Sequence, residues 1–185
     1  MSFRNSDSFD SFNSFRSQIH FDDCKYNENS FSVDKIKHLF KNGKHIRKLK
    51  LSDYKEYLIL LSQLTVVGKV NEEEFKKRFN EIDNNPYLHI YVISDEDINE
   101  LIACGTVYIE PKFIHKCSKL AHIEDIVVNK KYRGKNYGLF IINHLVDVAK
   151  KAGCYKVTLA CKEKNKFFYE KCNFKNEGLE MAARL

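Results

Sequence analysis

The 185-residue sequence predicts an α/β (α+β) fold, a mixed and mostly antiparallel central sheet with helices on both faces. Three features of the pattern lead there. Two segments of helical periodicity lie between residues 52 and 85. Three runs rich in Val, Ile and Tyr follow between residues 87 and 129. A strand–helix–strand unit closes the chain, and such a unit lays its helix across a sheet.

Residues 1–18 alternate Ser, Asn and Asp with Phe3, Phe9, Phe12 and Phe15 and hold no sustained period. We expect residues 1–44 to be a low-complexity, disordered N-terminal extension, with one short amphipathic candidate from Val33 to Phe40. The folded domain is expected over 45–185. It starts with HIRKLKL, whose alternation suits a half-buried strand, and Ser52 stands where a helix cap is wanted. Tyr54, Tyr57, Leu58, Leu61 and Leu64 recur at helical spacing up to Gly68. A second helix has Asn71 as its cap, Glu72, Glu73 and Glu74 in the first turn where the helix dipole favours acids, and Phe75, Phe79 and Ile82 on one face. Asn85-Pro86 ends it.

YLHIYVIS (87–94) and ELIACGTVYIE (100–110), joined by an acidic turn, predict an antiparallel hairpin. A third strand is expected over 120–129 and a buried helix over Leu139–Ala152 with Gly153 as its stop. YKVTLA (155–160), a short helix from Glu163 to Cys172 and a closing strand near Glu180–Arg184 complete the expected order.

Composition narrows the function classes. No run approaches the roughly 18–20 apolar residues of a membrane-spanning helix. The start, MSFRNSDSFDSF, lacks the apolar core of a secretory signal, so a cytoplasmic address is expected. Cys24, Cys104, Cys117, Cys154, Cys161 and Cys172 form no CxxC pair, which argues against a disulfide framework and against a metal site. Charge is uneven: residues 112–185 carry 16 Lys/Arg against seven Asp/Glu, while 46–111 carry eight against twelve. Anionic ligands therefore belong to the C-terminal half. The basic residues form no long run or arm, so no nucleic-acid partner is expected and small phosphorylated ligands suit them better.

The most informative segment is IVVNKKYRGKNYGLFII (126–142), where a β-branched run passes through a basic glycine-containing turn into an apolar helix. Such a junction presents free backbone N–H groups and the positive end of a helix to an anion. Neither GxxxxGK[ST] nor GxGxxG is present. By itself the segment also suits an ordinary strand-to-helix loop with surface cations.

The turn Arg133-Gly134-Lys135-Asn136-Tyr137-Gly138 resembles the RxxGxG/A signature of the GNAT superfamily of acetyl-CoA-dependent N-acetyltransferases. With KFIHKCSKLAHIEDIVV (112–128), GCYKVTLACKEKNKFFYEKCNF (153–174) and the ending MAARL, the chain is similar to the glucosamine-6-phosphate N-acetyltransferase family over residues 46–185. It departs from that family's pattern where Asn136 replaces the first motif glycine and where Ala160 replaces an acidic residue.

The resemblance implies the GNAT fold, its sheet splayed at an acetyl-CoA cleft, in a homodimer whose two sites draw on both subunits. It assigns the acetyl-CoA arm to the backbone of Ile126, Val127 and Val128, the pyrophosphate to Arg133, Gly134, Lys135, Asn136, Tyr137 and Gly138, and a further contact to Asn165. It assigns the sugar phosphate to Thr65, Lys112, Phe113, Ile114, His115, Glu124, Asp125, Lys156 and Arg184, and catalysis to Tyr169, Asp125 and Glu124.

Physical chemistry is compatible with each role. Several donors from separate elements suit a dianionic phosphate, and a phenol of pKa about 10 can donate to a departing thiolate of pKa about 8.5. Taken singly, His115 also reads as a strand histidine, Lys156 and Arg184 as solvated charges and Tyr169 as a core aromatic. Adjacent strand residues face opposite ways, so Glu124 and Asp125 reach one substrate only across a twist or bulge.

The expected reaction moves the acetyl group of acetyl-CoA directly to the 2-amino group of D-glucosamine 6-phosphate, with no covalent enzyme intermediate and no metal. Acetylation of a protein amine, or a degenerate CoA-binding module without catalysis, remain the alternatives at this point.

Overall fold

The computed structural model describes residues 43–183. The extension expected over 1–44 therefore lies almost wholly outside the described residues, as do the Val33–Phe40 candidate and Arg184.

Five strands stand side by side in chain order: β1 (Lys44–Lys48), β2 (Leu88–Asp95), β3 (Glu100–Pro111), β4 (Lys119–Val128) and β5 (Cys154–Thr158). The first four are antiparallel to their neighbours, and β5 runs parallel to β4. This is the mixed sheet the sequence predicts. β3 is its centre, and every residue from Leu101 to Val107 is buried, as a strand covered on both faces requires.

One face carries α1 (Tyr54–Leu61) and α2 (Glu72–Asp83). Tyr57, Leu60 and Phe75 from these helices meet Ile90, Val92, Leu101, Cys104 and Val127 of the sheet in one buried cluster. At the head of α2, Asn71 Oδ1 accepts from Glu74 N at 2.9 Å and Glu74 Oε2 accepts from Asn71 N at 2.8 Å, the reciprocal cap that the Asn-x-x-Glu spacing promises. The other face carries α3 (Tyr137–Lys151), whose Leu139, Phe140, Ile141, Ile142, Leu145 and Ala149 are buried. Gly153, just past its end, has the positive φ (79°) of a helix stop. Gly105 lets α3 lie close: a Cβ there would run into Ile126 Cδ1 and would stand 2.8 Å from Leu145 Cδ1.

Three expectations are corrected. Asp53, not Ser52, organises the start of α1: its Oδ2 accepts from Lys50 N at 2.8 Å, and its two oxygens take Nη1 and Nη2 of Arg47 at 2.7 and 2.9 Å. A carboxylate can hold a part-buried guanidinium bidentately and a serine cannot. The helix also ends at Leu61, well before Gly68, so Thr65 sits in the following loop. Finally, residues 180–183 form no strand; Leu179 and Met181 are 95% and 93% exposed.

Candidate active site

The site begins where β4 and β5 part. Their ladder covers only Lys119–His122 against Cys154–Thr158, so β4 continues from Ile123 to Val128 with no strand on that side. This is the splayed cleft. Its floor is irregular, because on the β3 side Cys104 pairs with Val127 and Thr106 with Glu124, leaving Asp125 and Ile126 opposite Gly105 alone. That extra residue is a β-bulge, and Asp125 takes the left-handed conformation (φ 53°) that Asp tolerates better than most residues. The bulge supplies what alternation alone forbids. Glu124 and Asp125 are both exposed, while their neighbours Ile123 and Val127 are buried.

Beyond Val128 the chain makes one 3-10 turn, Lys130–Tyr132, and enters the basic turn. Arg133 turns back so that its Nε donates to Val128 O at 3.0 Å. Gly134 (φ 76°) and Asn136 (φ 64°) are both left-handed, and Asn136 is the residue from which α3 starts. Asn is the side chain best suited to that conformation after glycine, which accounts for its presence where the signature has Gly. The first amides of this 15-residue helix have no partner within it and carry its positive end, so the turn suits a diphosphate. Space agrees with charge. Nothing lies within 4 Å of a Cβ built on Gly134, whereas one on Gly138 would meet Phe168 Cζ at 3.1 Å and Val128 Cγ2 at 3.4 Å.

Across the cleft stand a 3-10 turn (Glu163–Asn165) and α4 (Lys166–Lys171), with Asn165 at their junction and exposed. Tyr169, on α4, is half-buried against Phe168 and Phe174, with ring centroids 5.0 and 6.2 Å away. Burial pushes its hydroxyl up to about 12, with Cys161, Cys172 and Glu124 adding to the shift. Tyr169 is protonated at neutral pH, as a free phenol would be, and it feels the Glu124 charge. Burial, then the Asp125 charge, raises the carboxyl of Glu124, while His122 pulls it down.

The residues assigned to the sugar phosphate fall into separate groups. Glu110, Leu120 and Lys156 share one row across β3, β4 and β5, and Tyr108, His122 and Thr158 share the next but one. In the first group Lys112 Nζ lies 2.6 Å from Glu110 Oε1 and His122 Nε2 lies 3.0 Å from Glu110 Oε2. The Lys112 ammonium, then His122, holds the Glu110 carboxyl below its usual range. His122 Nδ1 is 3.2 Å from Thr158 Oγ1, and Lys156 pairs with Glu177 at 3.3 Å.

His115 belongs elsewhere. Its ring lies 4.2 Å from that of Tyr155, which faces the opposite side of β5 from Lys156. His115, Lys116 and Cys117 wind a left-handed turn with φ of 50°, 59° and 57°, and the preceding Phe113 and Ile114 are 96% and 58% exposed. Thr65 is exposed in the loop after α1. Sequence reasoning missed Glu110 and His122. The signal was there, since His122 precedes Glu124 by two and so shares its face of β4.

Among the described residues there is no group of His, Cys, Asp and Glu that could hold a metal, and no helix long and apolar enough to cross a membrane.

The acetyltransferase (GNAT) family profile matches residues 53–174. The chain is 45% identical over 139 residues to a glucosamine 6-phosphate N-acetyltransferase of Arabidopsis thaliana, an alignment covering 74% of this chain and 93% of the relative. It is 44% identical over 146 residues to glucosamine 6-phosphate N-acetyltransferase 1 of Dictyostelium discoideum, covering 78% and 92%. The crystal structure of glucosamine-6-phosphate N-acetyltransferase from Arabidopsis thaliana superposes with a TM-score of 0.74 at 44% identity, covering 76% of this chain and 97% of that one. The chain therefore belongs to the acetyltransferase (GNAT) family, within its glucosamine 6-phosphate N-acetyltransferases.

Proposed function

We propose that this chain transfers the acetyl group of acetyl-CoA to the 2-amino group of D-glucosamine 6-phosphate, giving N-acetyl-D-glucosamine 6-phosphate and CoA. The observation that carries this reading is the bulge at Asp125, which turns two adjacent carboxylates out beside the open edge of β4 in a chain of this ancestry.

Amide N–H groups at the head of α3, with Arg133 and Lys135 near them, receive the diphosphate of acetyl-CoA, and the edge of Ile126–Val128 aligns its arm. Asn165 borders the same cleft from the α4 side. The amine attacks the thioester carbon after giving its proton to a carboxylate, for which Asp125 or Glu124 is placed. A backbone N–H of the bulged strand meets the tetrahedral oxyanion. Tyr169, a phenol protonated at neutral pH, then donates a hydrogen bond to the departing CoA thiolate. Holding both substrates side by side supplies much of the rate.

The phosphate of the sugar falls to Lys112, His115, Lys156 and Arg184, with Thr65, Phe113 and Ile114 around it. Within one described chain His115 and Lys156 lie on opposite sides of β5 and their partners differ. Phe113, Ile114, Leu179 and Met181 are exposed apolar residues. Both facts favour a homodimer whose sites are completed across the interface.

The test is CoA thiol release with glucosamine 6-phosphate, glucosamine or a lysine peptide as acceptor. Turnover confined to the phosphorylated sugar supports the reading, with Tyr169→Phe lowering kcat and Arg184→Ala raising KM for the sugar. Turnover on the peptide refutes the substrate, and binding of CoA without turnover on any amine refutes the activity.

A further inference from the structure

The turn from Arg133 to Asn136 is exposed and makes few contacts of its own, so its shape is set at its two ends. One end is fastened by a single carboxylate from the neighbouring strand. Glu100 opens β3, and its Oε1 accepts from Asn129 Nδ2 at 3.2 Å. Its Oε2 accepts from Lys131 Nζ at 2.7 Å and from Tyr132 OH at 2.8 Å. These three donors come from the four residues that join β4 to Arg133. Asn129 is bound to β3 a second time, through its own N–H to Ile102 O at 2.9 Å.

The grip is passed on through Tyr132. Its ring is buried and stands edge-on to Tyr137, the first residue of α3, with centroids 6.0 Å apart. Lys131 and Lys135 place their ammonium groups 5.2 and 5.5 Å from the centre of that ring. The entry and the exit of the basic turn are therefore both seated on Tyr132, and Tyr132 is seated on Glu100. A bare carboxylate behind an anion site would oppose the anion. The Lys131 ammonium neutralises this one, and its bond, with those of Tyr132 and Asn129, outweighs the effect of burial and keeps the Glu100 carboxyl below its usual range.

We propose that Glu100 is a positioning residue for acetyl-CoA: it never touches the ligand, but by holding Asn129, Lys131 and Tyr132 it fixes the backbone amides of Arg133–Gly138 in their anion-binding geometry. The inference rests on the reading of that turn as the acetyl-CoA diphosphate site.

Glu100→Gln separates positioning from simple electrostatics, because the two predict opposite signs. Removing a negative charge behind an anion site tightens acetyl-CoA if field alone matters. Glutamine keeps one acceptor oxygen and turns the other into a donor that faces Asn129 or the Lys131 and Tyr132 pair, so at least one of the three contacts is lost, and binding loosens if positioning matters. We expect Kd for acetyl-CoA, measured by calorimetry on the full chain, to rise about tenfold, with kcat and the KM for the amine acceptor within about twofold of wild type. Tyr132→Phe raises Kd about threefold, and adding it to Glu100→Gln changes little, because both act through one unit. An unchanged or lowered Kd in Glu100→Gln, or equal losses in acetyl-CoA Kd, kcat and acceptor KM, overturns the proposal. If Glu100→Gln does not fold, Tyr132→Phe and Lys131→Met decide it, and two unchanged Kd values overturn it. Wild-type protein that fails to bind acetyl-CoA overturns the reading of the turn together with this inference, whereas binding that Glu100→Gln leaves intact overturns this inference alone.

Discussion

His144 makes the stability of the fold sensitive to mild acid. It lies on the sheet-facing side of α3, 6% exposed, with its ring edge-on to Tyr91 at 4.5 Å and its Nε2 without a hydrogen-bond partner. Burial, with a smaller push from Lys151, lowers its pKa to about 4. In the unfolded chain it titrates at about 6.5. Between those values the unfolded state binds the proton and the folded state does not, so stability falls as pH drops through 6.5 and the loss is complete below 4. The full shift amounts to about 3 kcal/mol, and the part lost between pH 7 and pH 5 to about 2 kcal/mol. For a domain of this size that lowers Tm by roughly 6–8 °C. Urea denaturation of wild type and His144→Leu at pH 7, 6 and 5 measures it. The leucine variant should lose about 2 kcal/mol less than wild type over that range, which separates His144 from other titrating groups such as His89. Equal losses in the two proteins, or a His144 resonance titrating near 6.5, would refute the argument.

Three further outcomes follow from the packing. Gly105→Ala drives a methyl group into Ile126 and Leu145; we expect a cost of about 1–3 kcal/mol in urea denaturation and a raised KM for acetyl-CoA, because Ile126 adjoins the bulge. Asn136→Ala should cost about 1–2 kcal/mol and weaken acetyl-CoA binding, while Asn136→Gly leaves both near wild type, since φ of 64° is strained for alanine and free for glycine. Asp53→Ala takes the bidentate partner from the part-buried Arg47 guanidinium and the acceptor from Lys50 N, for a loss of about 1–3 kcal/mol in denaturant titration; Asp53→Asn, which keeps one acceptor, should lose less.

Most of the fold was legible because it is written in local periodicity. The Asn71 cap, the β2–β3 hairpin, the apolar run of α3 and its Gly153 stop each need only neighbouring residues to specify them. What escaped depends on distant partners. Nothing around Ser52 and Asp53 reveals that Arg47, six residues before Asp53, selects the second of them. The ending MAARL looks strand-like, but whether such a run pairs depends on a distant partner strand, and its described residues form no ladder. At the site, the basic turn was readable from its glycines and its place between strand and helix, and the outward pair Glu124-Asp125 was readable as a conflict with alternation. The bulge that resolves the conflict is set by Gly105 on another strand. The pairings of His122 with Glu110 and of His115 with Tyr155 join distant parts of the chain and leave no mark in the local sequence.

The early parting of β4 and β5 has a cost to the protein when it is empty. From Ile123 to Val128 the edge of β4 has no strand beside it, and apart from the Val128 carbonyl, taken by Arg133, it is a sheet margin of the kind that recruits other chains. A ligand whose own amides lie along that margin acts as a missing strand and also as a cover. It binds only the folded state, so it raises stability by mass action in proportion to the logarithm of its concentration over Kd. Shelf life, aggregation and heat tolerance of this protein should therefore track the CoA content of the buffer, and a preparation stripped of ligand is the state most exposed to self-association.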